Sequence, residues 1–349
     1  MASLTGIGTN AIYKIASTWG TAVSGGAGNK LRAEITPNFN VEELLFRQVG
    51  SGLYMKDSAT RGNLKPTIGI SMDGGYRNCM DNIIAQLMGT AGAPTEQTGG
   101  QADYKHTITF NTSLNAKYGT LAYDSSSATV HEYATTATRS FTISGDDAPG
   151  VLDFQAELLA NNIAITGATN TNGSMASATI TDTEMVAFGF DDYFRINTSS
   201  GASLSSGDNL AITSFSLNLV REQDIKGEIK GSAGNGSPVA GAGLTGTLSI
   251  TLKELTDHTY YTIWNAETTQ KCTLNIQGSQ IGSGTNKTFA FYIPKMQLIK
   301  EPQYALTSEG TNPVTLEFKI LKAASNPSGM SSTYPYFEIT NGLSTSLLA

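Results

Sequence analysis

Apolar and polar residues alternate with a period of two along segment after segment, and this alternation confines the chain to antiparallel sheet. Phe215, Leu217 and Leu219 alternate with Ser214, Ser216 and Asn218, and Leu248, Ile250 and Leu252 with Thr247, Ser249 and Thr251. Phe289, Phe291 and Ile293 share one face. Val314, Leu316, Phe318 and Ile320 alternate with Thr315, Glu317 and Lys319. In the first half, Ile68, Ile70 and Met72 alternate with Thr67, Gly69 and Ser71, and Leu152, Phe154, Ala156 and Leu158 with Asp153, Gln155 and Glu157. Successive side chains of a strand point to opposite faces, so each segment buries one face and wets the other.

Composition agrees. Charged residues are 15% of the 349, against a typical ~25%, and there are 37 glycines. A chain poor in Glu and Lys and rich in Ser, Thr, Asn and Gly favours strands and turns over solvent-facing helices. Two segments read as helices. In 76–88, Tyr76, Met80, Ile83, Ile84 and Leu87 share a face, with Asp73 as cap and Gly89 as terminator. In 257–266, Tyr260, Tyr261 and Trp264 share a face, with Asp257 available as cap.

The order of elements recurs. A strand near 31–37, a long segment, a strand at 64–72, the first helix and further strands ending at 151–159 parallel a second series. That series has a strand at 210–220, a long segment, a strand at 245–252, the second helix and strands at 271–277, 288–295 and 313–322. Ile68 and Leu248 stand 180 positions apart, and Leu31 and Leu210 stand 179 apart. This spacing fits a duplicated domain rather than a solenoid repeat. Residue identity between the halves is poor, so the reading rests on element order. The expected fold class is mainly β (β-rich α+β). It comprises two tandem antiparallel β domains, each with one helix and a long loop between its first two strands. The expected boundaries are an N-terminal arm at 1–30, a first β domain at 31–165, a connector and linking strand at 166–209, a second β domain at 210–325 and a C-terminal arm at 326–349.

Net charge is −7 and the pI about 5.0. Nucleic-acid binders carry basic surfaces that neutralise phosphates, and this chain has no Lys/Arg run. Two cysteines, Cys79 and Cys272, are too few for a disulfide framework and point to synthesis in a reducing compartment. No stretch of ~18 apolar residues provides a membrane span, and the first twenty residues do not read as a signal peptide.

Several stretches together resemble the tail tube proteins of long, non-contractile bacterial-virus tails. They are 18–23 (TWGTAV), 69–89 (GISMDGGYRNCMDNIIAQLMG), 212–219 (ITSFSLNL), 244–252 (LTGTLSITL), 289–296 (FAFYIPKM) and 314–322 (VTLEFKILK). The resemblance implies two tail-tube-type domains, each a small β-sandwich or half-barrel with one flanking helix, rings of sixfold character and stacking into a tube that carries DNA. A single-domain member needs six copies per ring, so the duplicated chain is expected in rings that are either trimeric and pseudo-sixfold or hexameric. It implies a virion tail protein made in the host cytoplasm. Its partners are copies of itself and other tail proteins, and DNA passes without specific binding. It implies no catalytic site, cofactor, metal, membrane or small-molecule substrate. Two other readings are a virion decoration or capsid-associated β protein and a non-catalytic carbohydrate-binding or adhesin-like β-sandwich.

A tube needs a heterologous contact that closes a ring and a second that stacks rings. The excursion at 39–62 carries Phe39, Leu44, Leu45, Phe46, Leu53, Tyr54 and Met55, too apolar for disorder. With Trp19, and with Ile225 and Ile229 of the matching excursion, it is expected at a subunit interface. Asp153, Gln155, Glu157 and Glu317 lie on polar strand faces and line either the bore or the outer surface.

Catalytic motifs are weak. The run 282–288 (GSGTNKT) lacks the glycine before the lysine and sits between strands, so it reads as a hairpin turn rather than a phosphate loop. His106, His131 and His258 have no second His or Cys at ligand spacing. Asp146–Asp147 and Asp191–Asp192 read as turn residues.

Overall fold

The computed structural model describes residues 10–38, 41–44, 60–114, 117–126, 129–146, 149–189, 191–226, 235–254, 257–303 and 313–349. The chain is mainly β and is built around one large antiparallel sheet. The first half runs β1 (Ala11–Ala16), β2 (Lys30–Leu31), β3 (Glu34–Asn38), β4 (Val41–Leu44), β5 (Thr60–Leu64), β6 (Thr67–Asp73) and α1 (Met80–Met88). It continues through β7 (Gly89–Ala91), β8 (Thr95–Glu96), β9 (Tyr104–Phe110), β10 (Tyr118–Ser126), β11 (Thr129–Asp146), β12 (Gly150–Val151), β13 (Asp153–Ala160) and β14 (Ile163–Ala164). After α2 (Asn172–Ser177) come β15 (Ala187–Phe188), β16 (Tyr193–Thr198), β17 (Ser214–Asp224), β18 (Val239–Leu252) and α3 (Thr259–Asn265). The last strands are β19 (Gln270–Gln280), β20 (Asn286–Leu298), β21 (Val314–Ile320) and β22 (Tyr336–Asn341).

Two layers face each other. One is the run β3-β6-β13-β11-β17-β18-β21, joined through the second part of β11. The other contains β2-β1-β10 with the first part of β11, and β16-β19-β20-β22-β9. Alternation along each strand sends one set of apolar side chains between the layers. There Phe141 of the first layer meets Phe337 of the second (ring centroids 5.8 Å apart), and Phe215 meets Phe291 at 6.1 Å. Ile83, Ile84 and Leu87 of α1 are fully buried in the same core.

The pairing scheme of the first half recurs in the second, residue for residue. The β6–β13 partners Ile68↔Leu158, Ile70↔Ala156 and Met72↔Phe154 correspond to the β18–β21 partners Leu248↔Phe318, Ile250↔Leu316 and Leu252↔Val314. Ile35↔Ile70 between β3 and β6 corresponds to Phe215↔Ile250 between β17 and β18. Thr136↔Ala160 and Thr138↔Leu158 correspond to Met296↔Ile320 and Leu298↔Phe318. Even the irregularity repeats. The β10–β11 ladder shifts between Gly119↔Thr136 and Leu121↔Tyr133, and the β19–β20 ladder shifts between Gln270↔Met296 and Cys272↔Ile293. A bulge bends its strand, and at these points β11 and β20 leave one layer and enter the other. Tyr13 packs so close to Gly119 that a Cβ there would lie 2.2 Å from its hydroxyl oxygen, which explains that glycine.

Three expectations are corrected. Residues 11–30 are not an arm, because β1 pairs with β10 and buries Ile12 and Tyr13. Its continuation is tied down by Gly20 N–H on Thr135 Oγ1 (2.9 Å) and Val23 N–H on Thr120 Oγ1 (3.0 Å). Residues 336–341 are not an arm either, since β22 lies between β20 and β9. Six residues are too short for the alternation to stand out. Helix α1 begins at Met80 and Asp73 does not cap it. Cys79 is the N-cap, in a left-handed conformation and without a side-chain cap, and the turn before it is held by Asn78, which accepts Met80 N–H on Oδ1 (3.3 Å) while Nδ2 donates to the Asp73 carbonyl (2.7 Å). The region expected as connector and linking strand, 166–209, contains α2, β15 and β16.

His106 of β9 is fully buried, and its Nε2 meets Asn341 Oδ1 of β22 at 3.1 Å. Burial pulls its pKa down to about 4. An unfolded histidine titrates near 6.5, so the unfolded chain takes up the proton first. This stability is complete above pH ~6.5 and drains as pH falls toward 4, by on the order of 2 kcal/mol. Urea midpoints should drop over that window in the parent and drop less in His106→Gln. Equal slopes for the two proteins would exclude this histidine as the cause.

Candidate functional surface: the polar face of the seven-strand layer

The layer β3-β6-β13-β11-β17-β18-β21 turns its apolar side to the core, so its other side carries the alternate residues in registered rows. One row crosses all seven strands: Glu34, Ser71, Gln155, Thr142, Asn218, Thr247 and Lys319. A second reads Asp73, Asp153, Ser144, Ser216, Ser249 and Glu317. A third contains Thr36, Gly69, Glu157 and Ser140, and a fourth Asp146, Ser214, Thr251 and Thr315. Hydroxyls and amides dominate, and the four rows hold six carboxylates against the single amine of Lys319.

The four residues expected on polar strand faces, Asp153, Gln155, Glu157 and Glu317, all fall on this surface. Glu157 and Glu317 occupy matching positions, and each has a basic partner at the neighbouring bend. Arg139 Nη1 lies 3.3 Å from Glu157 Oε1, and Lys300 pairs with Glu317. Both pairs are solvent-exposed and contribute at most about 1 kcal/mol. Gln155 Nε2 donates to Asp153 Oδ2 (2.8 Å), and Asn218 Nδ2 to Thr142 Oγ1 (2.9 Å) across the junction of the halves. Asp73 and Asp153 stand directly opposite each other. Like charges in that position oppose sheet stability. Sequence reading missed Glu34, Asp73 and Lys319 as members of this surface. Alternation gives each strand a polar side, but only register puts those sides in line.

The expected interface residues divide differently. Ile225 is buried. Trp19 is half-buried, donates Nε1–H to the Asn235 carbonyl (2.9 Å) and sits edge-on to Tyr118 (5.0 Å). Both are thus engaged within the chain, because the β17–β18 hairpin folds back over the first half. Leu44 belongs to β4. Phe39, Leu45, Phe46, Leu53, Tyr54, Met55 and Ile229 lie outside the described residues, as does Asp147.

Elsewhere the geometry favours structural roles. Residues 281–285 form the turn between β19 and β20, where Asp103 Oδ2 accepts both the N–H and the hydroxyl of Thr285, and 286–288 open β20. Lys287 bridges Asp182 (2.6 Å) and Glu184 (2.7 Å). Asp192 accepts Gly189 N–H and Gln277 N–H, a turn role. Cys79 and Cys272 are buried, and burial pushes both thiols up, away from nucleophilic thiolate. Among the described residues no His, Cys, Asp and Glu side chains cluster as a metal site. No family model matches the sequence, and no curated protein is detectably similar to it.

Proposed function

We propose that this chain is the tube subunit of a long, non-contractile bacterial-virus tail. Copies close into rings, the rings stack, and the polar face of the seven-strand layer lines the channel through which DNA passes. That face is the observation that carries the reading. A channel for DNA must not hold phosphates, and basic linings bind them through counterion release. Rows of hydroxyls with excess carboxylates neither attract nor trap a polyanion.

The junction of the halves supports ring formation. Residues Ser140–Asp146 of β11 pair with Val220–Ser214 of β17, so the last part of one pairing scheme meets the first strand of the next. The matching edges are β3, which among the described residues pairs only with β6, and residues 299–303 after β20. Joining those edges between copies is a heterologous contact, the kind that generates rings. Two tandem tail-tube-type units per chain then give sixfold character from three chains. The reading places the protein in the virion tail, in contact with itself and other tail proteins, without catalysis.

The test is electron microscopy of the purified protein with sedimentation at rising concentration. Rings or hollow tubes of uniform width are expected. A monomer that persists at high concentration and never forms either would sink the reading.

A further inference from the structure

The junction of the halves has a second component beyond the paired edges. The far ends of β17 and β18 form a hairpin that lies across the first half. Arg221 is buried over the Phe110 ring (5.0 Å), and it donates to the carbonyls of Leu87 and Asn111, both at 3.0 Å. Gln223 Nε2 donates to the Thr138 carbonyl (2.7 Å), and Asn235 bonds twice to Asn161 (2.8 and 2.9 Å). The seat of this hairpin is therefore the C-terminal end of α1, the bend of β11 and the end of β13.

The first half has the same hairpin. Val41↔Leu64 of β4 and β5 extends the β3–β6 ladder where Arg221↔Leu244 extends the β17–β18 ladder. Among the described residues β4 pairs only with β5. The second half repeats part of this seat, α3 and the end of β20, while Phe110 and Asn111 belong to a segment that only the first half carries. Eight of the nine residues of α1 are buried, but none of the seven of α3 is. Yet α3 carries Tyr260, Tyr261, Ile263 and Trp264 and no charged residue, and of these Tyr260 and Trp264 pack partly against the core. Tyr261 is 39% exposed, and Ile299, one residue past the Leu298 that matches Thr138, is 44% exposed. At the end of α3, Glu267 holds a left-handed φ of 50°, where α1 ends in Gly89 against Arg221.

We propose that α3 and Ile299 form the seat for the β4–β5 hairpin of a second copy, repeating between chains the contact that β17–β18 makes within one. The proposal rests on the ring reading in that both require copies to meet. It adds which surfaces meet, and in which direction. Contact runs from the first half of one copy to the second half of the next, so each copy gives one hairpin and receives one.

A pair of cysteines tests it, since the two native thiols are buried and silent. Gln223 contacts Thr138, so the matching pair is Glu43 and Leu298, with Ile299 the adjacent exposed residue. Glu43→Cys with Ile299→Cys, assembled and mildly oxidised, should give a ladder of covalent oligomers on non-reducing gels. The single variants should give at most dimers. Independently, Tyr261→Ser with Ile299→Ser should weaken association by at least ~10-fold, about 1.4 kcal/mol. Its far-ultraviolet spectrum should be unchanged, because both side chains are exposed. Parent protein that assembles while the double cysteine gives no ladder and the serine variant assembles normally overturns this proposal and leaves the tube reading standing. Parent protein that never assembles overturns both.

Discussion

Deleting residues 336–349 should abolish folding, and Phe337→Ala alone should cost about 4 kcal/mol. The segment holds β22, which pairs through Tyr336–Tyr292 and Thr340–Thr288 on one side and through Tyr336–Thr109 and Asn341–Tyr104 on the other. Without it, both β20 and β9 become open edges in the middle of the second layer. Phe337 is fully buried and contacts Phe141 (5.8 Å), Phe289 (6.2 Å) and Phe291 (6.5 Å), so it ties the two layers at their centre. Each such aromatic pair adds about 0.5–1.5 kcal/mol beyond burial. The tail after β22 adds to the loss, because Asn341 Nδ2 donates to the Tyr76 carbonyl and Asn82 Nδ2 to the Leu347 carbonyl. Domains are stable by only about 5–15 kcal/mol, so Phe337→Ala should remain folded with a much reduced urea midpoint and the deletion should be insoluble. A soluble deletion with cooperative unfolding would show that β22 is the dispensable arm its position suggests.

That segment marks a boundary of what the sequence discloses. Strands with one dry and one wet face, such as β6, β13, β17 and β21, are written plainly in alternation. Helix α1 is likewise legible in the spacing of Met80, Ile83, Ile84 and Leu87. β1 and β22 are not, because strands covered on both faces lose the polar half of the pattern. Ile12 and Tyr13 are adjacent yet both buried, and so are Tyr336 and Phe337. The recurrence of element order was visible, but the correspondence of registers was not, since pairing is a relation between distant segments. For the same reason the polar face could be named one residue at a time, as Asp153 or Glu317, and not as a surface. The segment 89–117, which carries β7, β8 and β9, has no counterpart in the second half. It made the first half look longer without revealing that β9 pairs with β22.

Replacing Asp73, Asp153 and Glu317 together by lysine should turn a surface that, on the proposed reading, ignores DNA into one that grips it. All three stand in one row across the layer, so the change removes three negative charges and adds three positive ones per chain along a single line. Their side chains lie on the face away from the core, so the cost in stability should stay within about 0.5 kcal/mol per site. Asp73 and Asp153 already oppose each other as like charges, and two lysines there bring no new kind of repulsion. Three phosphate contacts give a slope near −2.7 in log affinity against log salt, so free chains of the variant should bind duplex DNA at low salt and release it as salt rises. The decisive result comes from assembly in the presence of DNA. If the rows line the bore, the DNA held by variant tubes is enclosed and resists nuclease, whereas parent tubes retain none. DNA that binds the variant tubes but stays fully open to nuclease would place the rows on the outer surface. The carboxylates would then need an explanation other than the passage of a polyanion.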